Sequence, residues 1–100
     1  MNNQNQTNFT ALLDKAVSWG MDEGVDVVDA REAMLTLGKK YLSGEDVNKN
    51  EKEGIRWLTV SAYLDCIDAM SILEDYYISS NPELSKLWGD RVGSINYKSF

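Results

Sequence analysis

The chain contains no histidine. That removes the Ser-His-Asp triad and the Cys-His dyad at once. It has one cysteine, Cys66, so no intramolecular disulfide framework exists, and a zinc site built on Cys and His has too few ligands. Proline occurs once in 100 residues, which excludes collagen-like and proline-rich classes. No apolar run approaches the roughly 20 residues of a membrane span. There is no glycine-rich phosphate loop. Cations are also in short supply: ten Lys and Arg stand against sixteen Asp and Glu, a formal net charge of −6. Such an excess repels nucleic-acid phosphates and anionic lipid, so neither is expected as a partner. No catalytic residue, metal or cofactor is expected. The opening Met1-Asn2-Asn3-Gln4-Asn5-Gln6-Thr7 is polar and uncharged, unlike a secretory signal. A cytoplasmic location is the expectation.

What the chain does have is helical periodicity in a length suited to one domain. Residues 1–7 read as a polar tail, and 8–100 as a single helical domain of five helices. The first helix is expected over 9–23, with Phe9, Leu12, Leu13, Ala16 and Val17 on one stripe and Gly24 as its stop. The second is expected over 30–42, with Asp29 as N-cap, Glu32 three residues on, and Ala33, Met34, Leu37 and Tyr41 as its apolar face. A loop over 44–50 follows, in which Val47 is the one apolar residue and is expected to plug into the core. The third helix is expected over 51–64, carried by Ile55, Leu58 and Ala62 with Trp57 at the edge. The fourth is expected over 66–79, capped by Asp65. The fifth begins at Asn81-Pro82-Glu83, an N-cap, a first-turn proline and a first-turn acid, and is expected to end near Gly89 or Gly93. Tyr97 and Phe100 are candidates to pack back as a lid.

An internal repeat runs through this pattern. With a shift of 36 residues, Asp29 meets Asp65, Ala33 meets Ala69, Met34 meets Met70, Leu37 meets Leu73, Tyr41 meets Tyr77 and Ser43 meets Ser79. Small residues recur where helices must approach and bulky ones where a layer must be filled. A helix pair of this size cannot bury its apolar face alone, but two stacked pairs bury each other's.

The order Ala33, Leu37-Gly38, Tyr41, Gly44, Val47, Asn50, Trp57, Ala62, Ala69 resembles the Sel-like (Sel-one-like) repeat, a relative of the tetratricopeptide repeat. Lys15-Ala16, two residues, then Trp19 echo it earlier in the chain. Glu53-Gly54 stands where that pattern has Lys-Ala, Asp65 stands where it has the glycine between repeats, and Glu74 replaces the glycine of the second Leu-Gly. One full repeat therefore spans about 33–68, with partial repeats on either side. The resemblance implies an all-α fold, a short right-handed α-solenoid of antiparallel helix pairs. It also implies that Trp19, Trp57, Tyr41 and Tyr77 pack between helices.

By the same resemblance, the second and fourth helices line a concave groove. The faces opposite their core stripes hold Glu32, Leu35, Thr36, Lys39 and Ser43 on one helix. On the other they hold Asp68, Ser71, Ile72, Asp75, Tyr76 and Ser79. Aliphatic and aromatic side chains among polar ones suit a partner's peptide or helix. The function expected is a protein–protein interaction module, or adaptor, that docks on this face. The alternative is an inhibitor or immunity-type protein that masks an enzyme or toxin, and a homo-oligomer paired through its terminal repeats is a third reading. The segment Asp46-Val47-Asn48-Lys49-Asn50 imitates the start of a calcium loop, but Glu51 and Trp57 occupy the positions that need glycine and glutamate.

Overall fold

The computed structural model describes residues 3–18 and 26–98, with side chains described for 9–17 and 26–95. These residues form five α-helices and no strand: α1 (Asn3–Ser18), α2 (Val27–Ser43), α3 (Glu51–Tyr63), α4 (Ile67–Tyr77) and α5 (Pro82–Lys98). Among the described residues no helix is long and apolar enough to cross a membrane. Trp19, Asp22, Glu23, Gly24, Phe100 and the side chain of Tyr97 lie outside the described residues.

The ends of the helices correct several expectations. The first helix begins at Asn3, within the polar segment, rather than near Phe9. The N-cap of α2 is Asp26, not Asp29: its carboxylate accepts the Val28 N–H at 3.0 Å, and Asp29 is an acid of the first turn. Asp26 thus adds a turn through Val27 and Val28 despite their β-branching. At the other end Gly44 (φ 81°) takes the left-handed conformation, and its N–H reaches the Lys40 carbonyl at 2.7 Å. Asn50 caps α3 by accepting the Glu53 N–H. Asp46 of the calcium-like segment is paired with Lys40 at 2.6 Å. Val47 is half-buried and belongs to neither core cluster.

Between α3 and α4 the chain makes a Schellman turn. The Cys66 N–H bonds to the Ser61 carbonyl and the Asp65 N–H to the Ala62 carbonyl, with Asp65 at φ 70°. Asp65 therefore ends α3 and does not cap α4, whose N-cap is Cys66 with no side-chain cap bond. The fifth helix starts as expected, with Asn81 accepting the Leu84 N–H. It does not stop at Gly89 or Gly93 but continues to Lys98.

From α2 to α5 consecutive helices run antiparallel, as their bonds show. The Asn50 N–H meets the Tyr41 carbonyl where α2 ends and α3 begins, while the Ser61 hydroxyl donates to the Arg31 carbonyl at the opposite ends. Tyr76 late in α4 reaches Glu51 at the start of α3. Ser85 early in α5 donates to the Glu74 carbonyl late in α4, and Arg91 returns to Asp65.

Two core clusters follow, with α3 contributing to both. One joins Ala16, Ala30, Ala33, Met34, Leu37 and Trp57, with Phe9, Leu12, Leu13, Tyr41 and Leu64 packed on it. The other joins Leu58, Ala62, Cys66, Ala69, Met70, Leu73 and Trp88. The paired repeat residues Ala33 and Ala69, Met34 and Met70, and Leu37 and Leu73 are all buried. Each fully buried Leu or Met contributes about 1.5–3 kcal/mol of apolar transfer. Trp88, which the repeat does not single out, is buried and meets Tyr63 edge-on at 5.4 Å.

Candidate partner-docking groove

Residues one helical turn apart share a face, so Arg31, Glu32, Leu35 and Thr36 form a continuous strip along α2. The turn before α4 and its first residues bring Asp65, Cys66, Ile67 and Asp68 opposite that strip. Together these eight side chains line a cleft of about 450 Å³ between α2 and α4. A second hollow of about 210 Å³ lies between α1 and α2, lined by Leu12, Lys15, Asp29, Glu32, Ala33 and Thr36. Glu32 and Thr36 belong to both, so the two hollows share a wall.

Of the residues expected on the docking face, the structure brings Glu32, Leu35, Thr36 and Asp68 together in the cleft. Lys39, Ser43, Ile72, Asp75 and Tyr76 are not among its lining. Leu35 and Ile72 are half-buried and pack against the second core cluster, so they are less available than helical spacing suggests. Tyr76 is exposed, stands edge-on to Tyr77 at 5.0 Å and donates its hydroxyl to the Glu51 carboxylate at 2.7 Å. That bond, with some desolvation and the Glu51 charge, raises the phenol above the ordinary tyrosine value.

Arg31 is a lining residue that the sequence reading missed. Its guanidinium donates to the Leu64 carbonyl at 2.7 Å, at the C-terminal end of α3, where a cation is favoured by the helix dipole. The Arg31 carbonyl in turn accepts the buried Ser61 hydroxyl, also at 2.7 Å. The residue therefore ties α2 to α3 while lining the cleft. Its position one turn before Leu35 was the available signal. Asp65, Cys66 and Ile67 were missed because their place opposite α2 is set by the turn that ends α3, which helical spacing does not encode.

The hydroxyl of Thr36 donates to its own helix, at the Glu32 carbonyl. Asp65 is paired with Arg91 at 3.0 Å. Among the described residues no cation pairs with the carboxylates of Glu32 or Asp68. Asp68 stands in the first turn of α4, where negative charge is favoured. The lining mixes the half-buried aliphatic side chains of Leu35 and Ile67 with polar, mostly acidic ones. No group of three or more metal-ligating side chains occurs among the described residues. No protein-family model matches the chain, and neither a curated protein nor a solved structure matches it.

Proposed function

We propose that this protein is a small cytoplasmic interaction module that holds a peptide or helix of another protein in the α2–α4 cleft. The observation that carries the reading is the convergence of Glu32, Leu35, Thr36 and Asp68, from helices a repeat apart, on one hollow. A cleft of mixed aliphatic and charged lining suits a short protein segment. The same reading takes α2 with α3, and α4 with α5, as two stacked pairs of a right-handed Sel-like solenoid. Three features support it. From α2 to α5 consecutive helices are antiparallel, α2 and α4 share the cleft on one side, and Tyr63 of α3 meets Trp88 of α5. A fourth is the left-handed backbone of Asp65, at the place where that repeat has glycine.

Capture of partners from the native cell tests this, using the chain and its Glu32→Arg/Asp68→Arg variant. Both substituted side chains are exposed, so the variant is expected to keep its helical circular dichroism. Loss of the captured protein in the variant supports docking in the cleft. Identical capture by both would sink the assignment of function to this face.

A further inference from the structure

The lining of the groove specifies the chemistry of what enters it. Taken together, the two hollows carry the carboxylates of Asp29, Glu32, Asp65 and Asp68 against the cations Lys15 and Arg31, and Asp65 is itself paired with Arg91, which leaves a surplus of one negative charge. The cations are not equally free: Arg31 is held on the Leu64 carbonyl. Asp29, Glu32 and Asp68 have no ion-pair partner among the described residues, and all three are exposed. Glu32 and Asp68 line the cleft from opposite helices, and the half-buried Leu35 and Ile67 line it with them.

We infer that the occupant is a cationic amphipathic segment, in which one aliphatic side chain is flanked by lysine or arginine on both sides. This rests on the docking reading above and adds the partner's charge to it. The aliphatic side chain would cover Leu35 and Ile67. The flanking cations would meet Glu32 on one wall and Asp68 on the other, which gives register as well as attraction. An anionic occupant is disfavoured, because the first turn of α4 already carries Asp68 and the opposite wall carries Glu32. The net charge of −6 adds long-range steering for the same kind of partner.

The test uses three labelled helical peptides that share one leucine, flanked a turn away on each side by lysine, glutamine or glutamate. Binding to the full chain is read by fluorescence anisotropy. The expected result is that the lysine peptide binds most tightly and weakens as salt is raised. Glu32→Gln/Asp68→Asn should weaken it by about fivefold or more. Glu45→Gln/Asp90→Asn removes the same number of charges away from the groove and should leave binding within about twofold. Equal weakening by both variants would show attraction by bulk charge and overturn the inference. Equal binding of all three peptides would overturn it too, while leaving docking in the cleft intact. Binding of none of them would remove both.

Discussion

Gly38 of α2 and Gly54 of α3 face each other so closely that neither position has room for a methyl group. A Cβ built on Gly54 would lie 2.9 Å from the Gly38 carbonyl oxygen and the same distance from Leu42 Cγ. One built on Gly38 would lie 2.5 Å from Leu58 Cγ and 3.0 Å from the Gly54 carbonyl oxygen. Backbone cannot swing aside as a side-chain tip can. Gly54→Ala is therefore expected to destabilise the fold by about 1–3 kcal/mol, although alanine is the better helix former. Gly93 in α5 is the contrast, since a Cβ there meets nothing within 4 Å. Gly93→Ala is expected to stabilise by about 0.4–1 kcal/mol. Urea midpoints of the two variants should move in opposite directions, and a shared direction would contradict this account of the crossing.

This pair also shows what the sequence could and could not disclose. Leu37-Gly38 and Glu53-Gly54 were visible, the second as a departure from alanine, but the reason for the departure is a backbone distance that no spacing encodes. The apolar stripes Ala33-Met34-Leu37 and Ala69-Met70-Leu73 were legible because helical periodicity fixes which residues share a face. Helix ends were less so. Asp26 and Asp29 are both chemically able to cap α2, and the preference against Val27 and Val28 in a helix is only a few tenths of a kcal/mol. Gly89 and Gly93 read as a stop, yet Trp88, Val92 and Ile95 all contribute to the second core cluster. Burying those side chains outweighs a cost of about 1 kcal/mol per glycine. In the groove, the α2 wall followed from periodicity, whereas Asp65, Cys66 and Ile67 depended on the Schellman turn.

That turn makes a prediction of its own. Asp65 holds φ 70°, and the left-handed region costs a residue with a Cβ about 1 kcal/mol or more. Its carboxylate recovers part of this through the exposed pair with Arg91, a contact type that contributes about 0–1 kcal/mol. Asp65→Gly removes the strain and the pair together and should leave stability equal or up to about 1 kcal/mol higher. Asp65→Ala removes the pair and keeps the strain, so it should lose about 0.5–1 kcal/mol. Thermal midpoints should rank glycine above alanine. The reverse order would mean that the turn is not held in the left-handed region.

Trp57 belongs to the first core cluster with Ala30, Ala33 and Leu37, yet its indole N–H is buried with no hydrogen-bond acceptor among the described residues. A buried unmet donor costs about 1–3 kcal/mol. Trp57→Phe removes that donor along with some volume, so the two effects oppose, and the net loss is expected to stay below about 1.5 kcal/mol. Trp57→Ala leaves a cavity with nothing to offset it and should lose about 3–5 kcal/mol. Chemical denaturation of both separates the terms. A phenylalanine variant as unstable as the alanine one would show that the indole N–H is satisfied in solution.

Tyr76 and Glu51 link the end of α4 to the start of α3, and their bond depends on which partner holds the proton. While the phenol is protonated it donates to the carboxylate at 2.7 Å. Ionisation gives up that hydrogen bond, and with some desolvation and the nearby Glu51 charge this raises its pKa in the folded chain. A tyrosine raised on folding contributes stability that is present below the ordinary tyrosine pKa, about 10, and is lost as pH climbs through the higher folded value. Stability should therefore decline in the alkaline range, and this part of the decline should vanish in Tyr76→Phe. Phenolate absorbance, taken as the difference between wild type and Tyr76→Phe, isolates the titration of this group. Glu51→Gln keeps an acceptor but removes the charge, so it should bring the titration back toward the ordinary value. A titration unmoved by Glu51→Gln would mean that desolvation, rather than the carboxylate, holds the proton on Tyr76.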